Sequence, residues 1–265
     1  MHAIGSILKI LNAQMEKPPL YGWFHILSLA LCVLAGIWLY RKRPVGQETQ
    51  IRRLLLAVSL TVIGLELYKQ INYSFYDDGT AIAFDYQWYA FPFQFCSTPM
   101  YISLLAAATP NQKLHRSLCA YLATYSLFAG LCVMAYPGDV FITTIGINIQ
   151  TMVCHGSMVV LGVYLLMCGY VPADRRTILR ALPVFLTLVA CAVVMNEVAY
   201  RTGLLERETF NMFFVSPYCA PSLPVYSLVQ QVVPFPGSLA IYVLMFTLAG
   251  YLVMKITSFI HQKVQ

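Results

Sequence analysis

The stretch GWFHILSLALCVLAGIWLY at residues 22–40 decides the fold of this chain. It contains no Asp, Glu, Lys or Arg, and as a helix it measures about 28 Å, close to the hydrocarbon thickness of a bilayer. Six further apolar stretches of similar length follow at residues 54–73, 92–109, 117–136, 147–169, 181–199 and 237–255. A lone segment in lipid must satisfy its own backbone hydrogen bonds, so we expect helices. The sequence predicts a single transmembrane domain over residues 1–265, an all-α polytopic membrane bundle of about seven transmembrane helices.

The composition supports a membrane protein rather than a soluble domain. Hydrophobic residues make up 59% of the chain and charged residues only 11%, and the mean hydropathy is +0.67. A soluble core cannot bury so large an apolar fraction. Seven of the eight cysteines fall in predicted spans, and no Cys-x-x-Cys motif occurs. We therefore expect no disulfide framework, no metal site and no cofactor.

Basic residues are concentrated in alternate loops, which predicts the orientation of the bundle. One side carries Arg41, Lys42, Arg43, Arg52, Arg53, Lys113, Arg116, Arg175, Arg176, Arg180, Lys255 and Lys263. The opposite side carries only Lys9, Lys17, Arg201 and Arg207 as clearly exterior basic residues. By the positive-inside rule we expect the N-terminus outside and the C-terminus inside. This bias explains the net charge of +6 without a nucleic-acid partner.

Residues 1–21 are expected to form an interfacial N-terminal segment. Ile4, Leu8 and Leu11 are spaced for one helical face, which is typical of a segment that lies flat on a membrane surface. No cleavable signal is evident, because this stretch holds Lys9 and Lys17 and lacks a long apolar run with a small-residue cleavage site. The chain fits a bacterial inner membrane or a eukaryotic endomembrane, and its oligomeric state is left open.

The long outer loop at residues 200–236 is too apolar for an ordinary solvated connection. Its run from Phe210 to Val215 is mostly hydrophobic, and the five prolines between residues 217 and 236 prevent one long helix. Two interpretations stay open. The loop is either a lid over a lipid-binding cavity or an interfacial plug that seals the bundle.

Topology brings the scarce ionisable residues to one depth beneath the outer face. The third and fifth spans both run inward, so Cys96 and His155 lie about 6 and 12 Å below the same surface. The other members of this layer are His25, Glu66, Lys69 and Asn196. Charged groups in hydrocarbon are costly, so they usually face the bundle interior, pair with one another or line a polar cavity.

Helical spacing predicts which of these side chains share a face. Asn148, Thr151 and His155 fall at i, i+3 and i+7, which forms one polar stripe on the fifth helix. Cys154 is rotated by about 100° from His155 and should face elsewhere. Cys96 is close to a helix N-terminus, where the dipole favours a thiolate.

These pieces support a chemical hypothesis. Cys96 attacks an acyl ester, and His155 serves as general base and then as general acid. Asn196, Asn211 or a backbone N–H stabilises the oxyanion. A membrane phospholipid or another lipid ester is the natural substrate of a site near the outer leaflet, although a membrane cysteine is more often a small packing residue.

Three short pieces of sequence resemble a known family. FPFQFC at residues 91–96, VCHG at 153–156 and NMFF at 211–214, with Glu66 and Lys69 upstream, look like the YwaF-like integral membrane family. That family resembles the transmembrane protein 164 acyltransferase and, more remotely, the androgen-induced membrane lipid hydrolases.

The resemblance implies a bundle of six or seven helices with an intramembrane nucleophile and a histidine, and His155 matches that histidine. The family usually carries His two residues before the cysteine, where this chain has Gln94.

Other readings of the same residues remain open. Glu66 and Lys69 are three residues apart on one helical face, as in a structural ion pair or a proton relay. With His155 they fit a proton-coupled transporter or a small-molecule-binding seven-helix protein, and a non-catalytic scaffold is a further alternative. A zinc site of His25, Cys96 and His155 lacks any short-spaced ligand motif.

Overall fold

The computed structural model describes residues 10–42, 48–77, 81–220 and 223–264 of the chain. The helices of these residues are α1 (Trp23–Arg41), α2 (Glu48–Ser74), α3 (Thr98–Ala108), α4 (Gln112–Ala135), α5 (Ile145–Met167), α6 (Arg175–Arg201), α7 (Pro224–Val232) and α8 (Phe235–Val264). Strands β1 (Phe75–Asp77) and β2 (Ile82–Phe84) form an antiparallel hairpin after α2. Short 3₁₀ turns occur at Trp88–Ala90, Leu204–Glu206 and Met212–Phe214.

Six helices of the described part are long and apolar enough to cross a membrane, namely α1, α2, α4, α5, α6 and α8. This confirms the all-α membrane bundle. Capping side chains explain where two of these helices begin. The Asn111 side chain accepts hydrogen bonds from the backbone N–H groups of Lys113 and Leu114 at the start of α4. Asp174 caps α6 in the same way by accepting from the N–H of Thr177.

The span predicted at residues 92–109 is shorter than expected. Its helix α3 begins only at Thr98 and has 11 residues, which gives a length of about 16 Å and half of a bilayer core. Pro99 sits in the first turn, where its missing N–H costs no hydrogen bond. Cys96 therefore precedes the helix, and the expectation that it lies one turn inside a helix from Pro92 was wrong.

Among the non-helical residues 92–97, Phe95 and Ser97 are buried and the others are partly buried. Their polar groups are satisfied locally, since the carbonyl of Gln94 accepts hydrogen bonds from the N–H groups of Ser97 at 2.9 Å and Thr98 at 3.1 Å. Phe95 is buried, and its ring packs against Phe213 with centroids 5.2 Å apart. Cys96 is thus held in an irregular segment between two buried residues, Phe95 and Ser97.

The central helices are α4 and α5, whose membrane windows are 72% and 67% buried, against 6% for α1 and 17% for α8. They approach closely because glycine faces the neighbouring helix. A Cβ atom at Gly130 would lie 2.8 Å from Met158 Cβ and 2.9 Å from the backbone oxygen of His155. Small residues permit such close helix packing in membranes. The packing of α4 therefore fixes the position of His155.

The loops divide the bundle into two faces. We call the N-terminal face the one that holds residues 10–22, the β hairpin and the loops 136–144 and 202–223. The opposite face, here the C-terminal face, holds the end of α8. Backbone hydrogen bonds fasten the N-terminal segment to its face, from the N–H of Met15 to Thr143 and from the N–H of Ile145 to Ala13. Which face is outside the cell or organelle stays a prediction.

The N-terminal segment is only partly described. Leu11 is held on the N-terminal face by Tyr68, whose hydroxyl donates to the Leu11 carbonyl at 2.6 Å. Ile4 and Leu8, on which the predicted interfacial face depends, lie outside the described residues. The predicted outer loop folds back onto the bundle, with the side chains of Phe210, Met212 and Phe213 buried.

We predict that Gly130→Ala destabilises the bundle by about 1–3 kcal/mol, because the added methyl group overpacks the contact between α4 and α5. The control is Gly36→Ala, where no atom lies within 4 Å of an added Cβ. Alanine there should leave stability unchanged or raise it by up to about 1 kcal/mol. Thermal unfolding of the purified variants in one detergent measures both effects, and equal midpoints would contradict the close contact.

Candidate functional site

The orientation of the His155 ring follows from one hydrogen bond. His155 is buried on α5, and its Nδ1 lies 2.7 Å from the carbonyl oxygen of Thr151. A carbonyl oxygen only accepts, so Nδ1 carries the hydrogen in this pair. In the neutral ring Nε2 then carries the lone pair and can act as a base.

The Cys96 thiol and the His155 ring face each other. The two side chains lie within interaction range, yet the buried Nε2 has no hydrogen bond of good geometry with any described residue. A buried polar atom without a formed hydrogen bond is uncommon and asks for an explanation. The structure therefore brings close together the two residues on which the chemical hypothesis depends.

A small cavity borders Cys96 on the side of α4. Its volume is about 10 Å³, and its lining includes Cys96, Ser126 and Cys154. The Ser126 hydroxyl is buried and lacks a partner among the described residues. Ser126 ends the π-helical turn Leu122–Ser126, and such turns often occur at functional sites. The cavity holds at most one water molecule.

Cys154 contacts the backbone of Cys96 rather than the ring of His155. Its thiol donates to the carbonyl oxygen of Cys96 across 3.6 Å. Cys154 therefore lies beside Cys96, and the prediction from helical spacing that it faces elsewhere was wrong.

A buried ion pair lies close to this centre. Lys69 Nζ is 2.7 Å from Glu66 Oε1, and the two side chains are only 14% and 6% exposed. Gln70 Nε2 donates to Glu66 Oε1 at 2.8 Å, and Gln150 Nε2 donates to Glu66 Oε2 at 3.3 Å. Both charges act electrostatically on the Cys96 thiol. The predicted pairing of Glu66 with Lys69 is present, and α5 supplies a donor to it.

Hydrogen bonds join the ion pair to the histidine. Gln150 Oε1 accepts from the Thr151 hydroxyl at 3.5 Å, a long contact, and the Thr151 carbonyl accepts from His155. At the other end, the Tyr86 hydroxyl donates to Gln70 Oε1 at 2.9 Å. We call the polar network the set Tyr86, Gln70, Glu66, Lys69, Gln150, Thr151 and His155.

The sequence prediction missed three members of the polar network, Gln70, Tyr86 and Gln150. Gln70 stands four residues after Glu66, a spacing that places both side chains on one helical face. Gln150 precedes Thr151 directly, and an amide in an apolar helix is a signal of the same kind as a histidine. Tyr86 lies in a loop and carried no usable signal.

Two of the predicted supporting residues, His25 and Asn148, form hydrogen bonds with backbone groups outside the polar network. His25 is fully buried, accepts from the N–H of Tyr21 at 3.1 Å and donates to the carbonyl of Met134 at 2.9 Å. Both of its ring nitrogens are therefore used. Asn148 accepts from the N–H of Ile142 at 2.9 Å and donates to the carbonyl of the same residue at 2.7 Å. The predicted polar stripe of Asn148, Thr151 and His155 is therefore split, because only Thr151 and His155 belong to the polar network.

The two asparagines proposed as oxyanion donors hold the outer loop. Asn196 donates to the carbonyl of Met212 at 3.0 Å and accepts from its N–H at 2.8 Å. Asn211 accepts from the N–H of Ser216 at 2.9 Å. The Asn196 amide therefore binds loop backbone through its oxygen and one of its two N–H donors. Its proposed part in an oxyanion site stays a prediction.

Gln94 lies two residues before Cys96 in the irregular segment. Its side-chain oxygen Oε1 is buried and lacks a partner among the described residues. A possible metal centre gains no support, because no group of three His, Cys, Asp or Glu side chains converges in the described ranges.

Comparison with known proteins gives one result. The model of the TMEM164 family matches residues 20–257, nearly the whole chain. The matched range contains Cys96, His155 and the complete polar network. No curated protein and no solved structure shows significant similarity to the chain.

We predict that Lys69→Gln lowers the free energy of unfolding by about 3–5 kcal/mol, because it leaves the Glu66 carboxylate buried without its counter-charge. The double variant Lys69→Gln/Glu66→Gln should recover part of this loss, since it buries no net charge. Chemical denaturation of the single and double variants in one detergent measures the coupling.

The matched control is Arg201→Gln, which breaks the Glu197–Arg201 pair. These side chains are 37% and 75% exposed, so we expect little or no change in stability, because solvent screens an exposed ion pair. Equal effects of Lys69→Gln and Arg201→Gln would contradict the buried character of the first pair.

Proposed function

Because the chain belongs to the TMEM164 family, we propose that it is an integral membrane acyltransferase or lipid-ester hydrolase with Cys96 as nucleophile and His155 as base. One observation supports this most. The His155 ring is held through Nδ1 by the Thr151 carbonyl, and its buried Nε2 is left without a formed hydrogen bond beside the thiol. A nucleophile, a base and a group that orients the base are the parts of a covalent acyl-transfer site.

The first half of the proposed reaction forms a thioester. Nε2 of His155 takes the thiol proton, and the Cys96 sulfur attacks the carbonyl carbon of a lipid ester. The tetrahedral intermediate collapses by breaking the ester C–O bond. The leaving alkoxide takes the proton from Nε2 and departs as a lysolipid alcohol, while the acyl group stays on Cys96.

The second half transfers the acyl group. An acceptor hydroxyl gives its proton to Nε2 and attacks the thioester carbonyl. The C–S bond breaks, and the sulfur of Cys96 recovers the proton from the imidazolium. The acceptor is a lysolipid alcohol in a transferase and water in a hydrolase.

Lys69 is the charge that we assign to the oxyanion. Its ammonium group contacts Glu66 with one of three N–H donors, so further donors remain for a second acceptor. It also acts on the Cys96 thiol through space. A fixed positive charge in a low-dielectric site stabilises a developing oxyanion strongly.

Acyl chemistry is better supported than transport. A proton or substrate path needs polar groups that continue from one face to the other. The polar network occupies the half of the bundle towards the N-terminal face. Beneath it, the buried rings of Tyr121, Tyr125 and Phe185 pack in contact, with centroids of Tyr125 and Phe185 only 4.3 Å apart. This aromatic layer favours a site with one entrance.

We predict that Cys96→Ser and His155→Gln each reduce lipid acyl turnover at least about a hundredfold, because each removes a group that bonds or moves a proton in the transition state. Purified protein in nanodiscs is supplied with a phospholipid carrying a deuterated acyl chain and with a lysophospholipid. Mass spectrometry of the lipids then measures both the transfer of the chain and its release as free acid.

The control is Cys191→Ala, which removes an exposed cysteine of α6 that is not part of the polar network. This variant should keep wild-type turnover. Wild-type turnover in Cys96→Ser as well would overturn the assignment of the nucleophile.

A further inference from the structure

A groove lies beside α6 near the N-terminal face. Its volume is about 570 Å³, within the range of small-molecule sites. Its walls are apolar and include Val194 and Val198 of α6 on one side and Phe91 and Phe210 on the other. Only its rim, which contains Glu206 and Arg207, is charged.

The groove opens towards the lipid rather than into the bundle. Val194 and Val198 are 61% and 54% exposed, and they belong to a helix that is long and apolar enough to cross a membrane. Side chains of this kind on such a helix contact acyl chains. An apolar groove on such a helix favours hydrocarbon over water, because removing apolar surface from water is favourable.

The rim carries one charge of each sign. Glu206 and Arg207 follow the end of α6, and both are exposed. Their side chains form neither an ion pair nor a hydrogen bond with one another or with another described residue. The next residue, Glu208, is engaged differently, since its Oε2 accepts from the N–H of Trp88 at 2.8 Å and ties the two walls together.

This pattern fits an amphipathic ligand with a zwitterionic head. A guanidinium group pairs well with a phosphate, often through two hydrogen bonds, and a carboxylate pairs with a cationic amine. The apolar walls take a hydrocarbon chain. A phospholipid whose head carries both a phosphate and a cationic amine combines these features in one molecule.

The groove is continuous with the segment that holds the nucleophile. Phe91 lines the groove, and the neighbouring carbonyl of Ala90 accepts a hydrogen bond from Gln70 of the polar network at 2.8 Å. On the same wall, Phe210 leads through the outer loop to Phe213, which packs on Phe95 beside Cys96. This wall of the groove therefore ends at the candidate site.

We propose that this groove binds an acyl chain of a zwitterionic phospholipid whose headgroup lies on Glu206 and Arg207. As the entry of substrate to Cys96, this inference rests on the proposed function. As a lipid-binding site, it does not depend on turnover.

The test is photo-crosslinking in nanodiscs of defined composition. Phosphatidylcholine with a diazirine in one acyl chain is irradiated with the full-length protein, and crosslinked peptides are mapped by mass spectrometry. We expect crosslinks to be enriched at residues 194–210. Crosslinks spread evenly over all lipid-facing helices would overturn the proposal, because the groove would then be ordinary lipid-facing surface.

Two variants test the walls and the rim separately. Val198→Trp fills the groove and should remove the enrichment, whereas Leu244→Trp, at a 66% exposed position on α8, should not. Unlabelled phosphatidylcholine should compete with the probe about tenfold better than diacylglycerol, and Arg207→Gln should abolish that difference, because a charge-assisted hydrogen bond is lost. Equal competition by diacylglycerol in the unmodified protein would contradict the role of the rim.

A Cys96→Ser background separates this proposal from the proposed function. The enrichment at the groove should persist there, since the thiol takes no part in binding the chain. Loss of turnover with retained crosslinking would show that Cys96 acts in the reaction and not in binding the lipid at the groove. Retained turnover without enrichment would reject the groove as the lipid site.

Discussion

The pairing of polar groups within a nearly water-free interior is the constraint on which this structure depends. In hydrocarbon each polar group must find its partner in the protein. His25, Asn148 and Asn196 meet this requirement by binding a backbone donor and a backbone acceptor each. Arg52 does so on the C-terminal face, where Nη1 donates to the carbonyls of Ala106, Ala107 and Thr109 at the end of α3. Against this background, a buried polar atom without a protein partner marks a place where a water molecule or a ligand can bind.

Three such atoms lie on or next to the Cys96 segment. They are Gln94 Oε1, Ser126 Oγ and His155 Nε2. The shortness of α3 makes this arrangement possible, because Cys96 can stand in an irregular segment between α2 and α5 instead of on a regular helix surface. Close packing at Gly130 fixes α5 against α4 and so fixes the histidine. The geometry of the site therefore depends on how α3, α4 and α5 pack together.

The sequence predicted the class of the fold and six of the spans. Hydropathy, helix rise and alternation of direction suffice for those inferences. It did not predict the late start of α3, because a proline is equally acceptable at the first turn of a helix beginning at residue 92 or 98. Nor did it distinguish His155 from His25 or Asn148. Depth alone does not show which polar side chain already has its hydrogen bonds made by backbone groups. Gln150 was missed because it lies outside the i, i+3, i+7 stripe of Asn148, Thr151 and His155.

The central claim is that His155 is held with its proton on Nδ1 and its basic Nε2 turned to Cys96. Solid-state ¹⁵N NMR of histidine-labelled protein in bilayers tests it most directly. The five histidines can be assigned with single His→Gln variants, in mildly alkaline buffer that keeps imidazoles neutral. The account predicts a protonated Nδ1 and an unprotonated Nε2 for His155, with the Nε2 resonance displaced by Cys96→Ala. A proton on Nε2, or an Nε2 resonance insensitive to Cys96→Ala, would contradict it.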